Sequence, residues 1–252
     1  MPTKPIIRTI HHLSCTGGTI ISRCIAAMPD TFVLSEVHPD VLRFGFDPFD
    51  PVQQLLAATN IGRNAALRRQ LFYDRVVTTE KIISSNNQKL VLRDHTHTDY
   101  LSPKTPQQTD AKPVLFNILN RDYTVLPVLT IRNPIHSYTS LVENNWAQTI
   151  TSFDDYCQRT VMMLDAYEAI DCPTFRYEDF CRSPDSTLKE ICESLQIDFG
   201  DVYSSRWHTI PMTGGSGRAA RDLKISPLPS RRIAPATLDE AITSSAFQEI
   251  CQ

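Results

Sequence analysis

An apolar run from Ile6 to Leu13, interrupted by one charge, breaks at Ser14-Cys15-Thr16-Gly17-Gly18-Thr19 and resumes with helical spacing at Ile20, Ile21, Cys24 and Ile25. That pattern reads as strand, glycine turn and helix. Such a junction points backbone N–H groups and the positive end of a helix dipole at whatever lies above it, and a phosphate or sulfate suits that field best. The chain has only eight glycines, and Gly17, Gly18, Gly214, Gly215 and Gly217 place five of them in two short loops. Glycine is needed where φ is positive or where a ligand approaches the backbone closely, so both loops are candidate binding surfaces, with two ordinary turns as the alternative.

The rest of the chain repeats the alternation. Thr31 to Val37 is a β-branched run with Glu36 near its carboxyl end, Lys89 to Arg93 runs into Asp94-His95-Thr96-His97, and Tyr123 to Ile131 is followed at once by Arg132-Asn133-Pro134. Pro173 to Tyr177 reads as a fifth strand. Between them the spacing predicts two helices over Val52 to Ser85, split near Asn60-Ile61-Gly62, and further helices over Ile135 to Trp146 and Phe153 to Ile170. The last of these is opened by Thr151-Ser152 with Asp154 and Asp155 in its first turn, and Ser183-Pro184-Asp185 opens another with Leu188, Ile191, Cys192 and Leu195 on one face. Residues 102 to 113 carry three prolines and no periodicity and read as a mobile surface loop or lid. The fold predicted is α/β, a three-layer sandwich in one P-loop-like domain over residues 1 to 252, with a central parallel sheet of about five strands flanked by helices. Ligands in that architecture sit at the carboxyl ends of strands, where Cys15 to Thr19, Glu36, Asp94 to His97 and Arg132 all fall.

Composition removes several classes of function. A formal charge of -3 and a pI near 6.2 leave no broad basic face, so nucleic acid is not expected as the main partner. No stretch is apolar for the roughly 20 residues of a membrane span, and none near the N-terminus suits a signal peptide. Seven cysteines, odd in number and scattered, fit reduced thiols in a reducing compartment, so a cytoplasmic location is expected.

The loop departs from the commonest phosphate cradles. A Walker A loop carries a lysine for the terminal phosphates, and no lysine occurs between residues 5 and 80. A cysteine phosphatase would place an arginine about six residues beyond Cys15, whereas Arg23 lies eight beyond. The chain instead resembles the sulfotransferases that use 3′-phosphoadenosine 5′-phosphosulfate (PAPS). The resemblance rests on Cys15-Thr16-Gly17-Gly18-Thr19 after the first strand, Arg132-Asn133-Pro134 with Ser140 after a central strand, and Tyr177-Glu178-Asp179-Phe180 leading into Ser183-Pro184.

That resemblance implies the roles. The first loop would wrap the 5′-phosphosulfate, Arg132 and Ser140 would grip the 3′-phosphate, and Tyr177 with the helix after it would form part of the adenosine side. A late loop through Gly217 and Arg218 would close over the 3′-phosphate. The cytosolic small-molecule branch carries a lysine where Cys15 stands here. The backbone N–H groups of Gly17 to Ile20, the hydroxyls of Thr16, Thr19 and Ser22, and Arg23 are therefore expected to stabilise the leaving phosphate.

Transfer to a hydroxyl also needs a base, for which His95 and Glu36 compete, with Asp94 as a third group that could serve or orient. His95 and His97 with Asp94 and Asp99 suggest metal ligands, yet spacing defines no complete set, so no metal is predicted. The acceptor expected is a small molecule or a carbohydrate, which the sequence does not specify further. A P-loop nucleotide-dependent kinase and a non-catalytic nucleotide-binding relative are the alternative functions.

Overall fold

The computed structural model describes residues 3–40, 64–102, 113–215, 224–227 and 232–251. Its frame is a five-stranded sheet in which every pairing is parallel. In chain order the strands are β1 (Ile6–His12), β2 (Thr31–Val37), β3 (Lys89–Asp94), β4 (Thr124–Ile131) and β5 (Thr174–Arg176), and they lie side by side as β2-β3-β1-β4-β5. The central position of β1 follows from its composition, since Ile7 and Ile10 are fully buried on a strand covered from both sides.

Between β1 and β2 runs α1 (Gly18–Ala26), whose Ile20, Ile21, Cys24 and Ile25 pack against Leu188, Ile191, Cys192 and Leu195 of a later helix at Pro184–Leu195. Burying each of these aliphatic side chains contributes about 1.5 to 3 kcal/mol, which fixes the helix behind the loop that precedes it. Arg8 ties the same layer to the sheet by donating from Nε to the carbonyl of Leu195, 2.6 Å away at that helix's end. The opposite face carries the 21-residue helix α2 (Ala65–Ser85), capped by Asn64, which accepts from the Leu67 N–H, and the 16-residue helix at Phe153–Glu168, capped by Ser152.

Register sets which strand ends meet. Ile10 pairs with Arg93 and His12 pairs with Thr130, so the segments leaving β1, β3 and β4 emerge at one level. To one side of β1 lie β3 and β2, to the other β4 and β5, and the crevice at this reversal is where such sheets bind ligands. The pairing of β2 with β3 shifts between Leu34 and Val37, and Glu36 sits in that irregularity with φ of 54°. The bulge turns a strand residue that would otherwise lie in the ladder toward the crevice.

Several boundaries differ from those read in the sequence. The helix after β4 runs from Pro134 to Glu143 and stops short of Trp146, with Asn144 at its cap and Asn145 at a φ of 56°. β5 ends at Arg176, and Tyr177 opens a short helix, Tyr177–Arg182, instead of closing the strand. Of the two helices expected over Val52 to Ser85, the second is α2 and residues 52 to 63 lie outside the described residues; so does most of the loop expected at 102 to 113. Short helices at His97–Tyr100, Val114–Leu119, Tyr203–Arg206, Pro235–Thr243 and Ser245–Ile250 had no periodic signal long enough to be read. The seven cysteines all stand as thiols outside any disulfide, and five of them are buried. Among the described residues no helix is long and apolar enough to cross a membrane.

Candidate active site

The loop between β1 and α1 is held in an unusual backbone course. Cys15 has φ of 66° and Gly17 φ of 87°, so two of its residues lie in the left-handed region, one of them bearing a side chain. Gly17 caps α1, and the N–H groups of Gly18, Thr19 and Ile20 have no carbonyl partner within the helix. Both glycines are forced by close neighbours: a Cβ at Gly17 would overlap the ring of Tyr177, and one at Gly18 would overlap the imidazole of His12. The result is a row of N–H donors at a helix start, flanked by aromatic rings above and below.

A cavity of about 250 Å³ opens over this row and is lined from all the strand ends. From the loop come Ser14, Cys15, Gly17, Gly18 and Thr19, and from β2 and the end of β3 come Glu36, Arg93, Asp94, His95 and His97. Beyond β4, Arg132, Ser140, Asn144 and Trp146 form the far wall with Tyr177, and Gly214 and Gly215 complete the rim. Arg132 reaches back across the opening to donate from Nη1 to the Cys15 carbonyl at 3.0 Å, and its guanidinium lies 5.2 Å from the Tyr177 ring centre. Ser140 and the cap residue Asn144 stand on the same wall, with Ser140 Oγ donating to the His136 carbonyl at 2.9 Å and Asn144 Nδ2 to the Ser140 carbonyl at 2.7 Å.

Beneath the loop lies Arg93, 2% exposed. Its Nε donates to His12 Nε2 at 2.8 Å, Nη1 to Ser35 Oγ at 3.0 Å and to the Thr213 carbonyl at 2.9 Å, and Nη2 to Thr19 Oγ1 at 3.0 Å. The same Nη2 is 3.2 Å from Glu36 Oε1. Burial pulls the Arg93 pKa down to about 10 against the raising charge of Glu36, so the guanidinium stays protonated at neutral pH. His12, buried beside it, is held well below 6.5 by desolvation and by the Arg93 charge. It is neutral, with Nε2 accepting from Arg93 and Nδ1 donating to the Leu13 carbonyl at 3.1 Å.

The histidines of the 94–97 segment form the third wall. His95 is hydrogen-bonded through Nδ1 to Thr98 Oγ1 at 2.8 Å, which leaves Nε2 for the cavity. Its ring centre lies 3.4 Å from that of His97, whose Nδ1 is hydrogen-bonded to Ser14 Oγ at 3.1 Å. Burial lowers both pKa values, His97 to about 3, so both rings are neutral near pH 7. Asp94 is fully buried: its Oδ2 takes hydrogen bonds from His11 and Thr96, each at 3.0 Å, while Oδ1 has no partner among the described residues. Among the described residues no three His, Cys, Asp or Glu side chains are grouped to hold a metal ion.

The chain is similar in fold to solved sulfotransferase domains. The sulfotransferase domain from the Synechococcus PCC 7002 olefin synthase matches with a TM-score of 0.54 at 14% identity, over 100% of this chain and 96% of that one. The sulfotransferase domain from the curacin biosynthetic pathway matches with a TM-score of 0.54 at 18% identity, over 99% of this chain and 97% of that one. The fold is the sulfotransferase fold. No protein-family model matches the sequence, and no curated protein matches it.

On this sulfotransferase fold, Cys15, Gly17, Gly18, Thr19, Glu36, His95, Arg132, Ser140 and Tyr177 of the sequence-derived residues meet in one cavity. Thr16, Ile20, Ser22 and Arg23 do not line it. Thr16, in the loop before the helix, donates from Oγ1 to the Leu13 carbonyl at 2.7 Å, while the helical turn carries Ile20 into the core and buries Ser22 Oγ without a partner among the described residues. Arg23 contributes charge close enough to depress the Arg93 pKa. Gly217 and Arg218 lie outside the described residues, although Gly214 of the same loop stands over Thr19 and Glu36. Sequence reasoning missed Arg93 and His12. The available signal was an arginine in an otherwise apolar strand, which burial obliges to find partners.

Proposed function

We propose that this chain transfers the sulfuryl group of PAPS to a hydroxyl or amine of a small-molecule or carbohydrate acceptor. The observation that carries the reading is that the N–H row at Gly18 to Ile20 and, on the wall opposite, Arg132 with Ser140 face one cavity, a pairing suited to a ligand with two anionic ends. The glycine positions fit a bound phosphate, because the backbone is bared there and the space a Cβ would need is already filled from behind. In this reading the loop with Thr19 holds the 5′ end of the nucleotide, Arg132 and Ser140 hold the 3′-phosphate, and Tyr177 flanks the adenosine.

When bound, PAPS supplies an activated sulfuryl group. The chain's own contribution is to orient the donor and to take a proton from the acceptor. His95 is suited to accept that proton, since its Nδ1 is fixed by Thr98, its Nε2 faces the cavity, and burial keeps the ring neutral. Glu36 stands beside it with Oε1 engaged by Arg93, a placement suited to steadying the imidazolium that forms.

The test is isothermal titration of the purified chain with 3′-phosphoadenosine 5′-phosphate, expected to show saturable binding, followed by transfer from labelled PAPS to a panel of acceptors. Absence of binding, or turnover of ATP with Mg²⁺ in its place, would overturn the assignment.

A further inference from the structure

The anion loop has no lysine, yet a buried guanidinium lies directly behind it. Arg93 offers five N–H donors, and each faces an acceptor: His12, Ser35, the Thr213 carbonyl, Thr19 and Glu36. These acceptors come from β1, α1, β2 and the late glycine segment, so one side chain sets the spacing of four parts of the cavity.

The bond to Thr19 has a chemical consequence. A hydroxyl has one hydrogen and two lone pairs. With a lone pair filled by the cation at 3.0 Å, the Thr19 hydrogen is turned away from Arg93, and Thr19 lines the cavity. Ser35 is held in the same way: its Oγ accepts from Arg93 and is hydrogen-bonded to Thr213 Oγ1 at 2.6 Å.

We propose that Arg93 is a positioning residue that takes the place of the absent loop lysine from beneath the loop, holding the Thr19 hydroxyl as a donor toward the 5′-phosphate end of the bound nucleotide. The proposal rests on the reading of this cavity as a PAPS site. It differs from a lysine in the loop in that each Arg93 N–H already faces a protein acceptor, so the charge acts on the ligand by polarising a neutral donor. Because the charge is buried, solvent and salt screen it less than they would an exposed lysine.

The experiment is a double-mutant cycle on the full chain, reading affinity for 3′-phosphoadenosine 5′-phosphate by titration with thermal unfolding alongside. Arg93→Lys and Thr19→Val are each expected to weaken binding about tenfold, the scale of one hydrogen bond to a charged group. If Arg93 acts through Thr19, the double variant binds no more weakly than either single one. Losses that simply multiply, or an Arg93→Lys variant that binds as tightly as wild type, overturn the proposal. Thr19→Ser restores the hydroxyl and is expected to recover most of what Thr19→Val loses; a serine variant as weak as the valine one overturns it also. Should Arg93→Lys not fold, Arg93→Gln, which keeps an amide donor but no charge, carries the same cycle. A wild-type chain that binds no nucleotide refutes the PAPS reading itself, which is a separate result.

Discussion

The ring of Tyr177 fills the space that a side chain at Gly17 would need. Tyr177 is 5% exposed and packs on Phe180, so it cannot swing clear without opening the core behind it. Gly17 also has φ of 87°, which a Cβ disfavours. Gly17→Ala therefore meets both overpacking, about 1 to 3 kcal/mol, and backbone strain of similar size. The expected outcome is a lower melting temperature together with at least a tenfold loss of nucleotide affinity, about 1.4 kcal/mol. An alanine variant with both properties unchanged would contradict the packing described.

This contact also marks the limit of what the sequence disclosed. Strands were legible because a parallel strand buried on both faces is a largely apolar run, as Tyr123 to Ile131 is, and the loop after the first strand was legible because glycines break such a run. Arg132 and Ser140 were singled out by the resemblance to the sulfotransferases, and both line the cavity. What depends on pairing between strands was not: Arg93 meets His12 only because Ile10 aligns with Arg93, and Glu36 enters the cavity only through a bulge. Asn144 and Trp146 reach the wall because the helix ends at Glu143, an end that no glycine or proline announces.

Stability is expected to fall between pH 6.5 and pH 4.5. Burial lowers the folded-state pKa of His12, His95 and His97, so the unfolded chain takes up protons in this range that the folded chain does not. Each such histidine costs about 1.4 kcal/mol per pH unit while that difference lasts. His38 runs the other way: burial opposes its protonation, but Asp99, 3.1 Å away, and the nearby Asp94 raise its pKa, so its contribution is present at low pH and lost as pH rises. Three lowered groups outweigh one raised group. Urea unfolding at pH 7 and pH 5 checks the sign, and a midpoint that does not drop at pH 5 would contradict it.

The two candidate bases can be separated by rate. With His95 as base, His95→Ala is expected to lower kcat/KM by roughly 10² to 10⁴, whereas Glu36→Gln is expected to cost about tenfold. The acid limb of the wild-type profile should fall below pH 6.5, because burial lowers the His95 pKa. Glu36 partly opposes that shift, so Glu36→Gln should move the limb to still lower pH. A larger loss from Glu36→Gln than from His95→Ala would reverse the assignment.

Arg132 offers the cleanest separation of binding from folding. It is part-buried at the cavity wall, and its contacts with the Cys15 carbonyl and the Tyr177 ring close the cavity and do not build the core. A guanidinium gripping a phosphate makes charge-assisted hydrogen bonds of about 1.5 to 3 kcal/mol each. Arg132→Ala is therefore expected to weaken 3′-phosphoadenosine 5′-phosphate binding by roughly tenfold to a hundredfold, while the melting temperature stays within about 2 °C of wild type. Affinity for adenosine 5′-phosphate, which lacks the 3′-phosphate, should change far less. If both nucleotides lost affinity equally, Arg132 would be holding the loop through Cys15 instead of reading the 3′-phosphate.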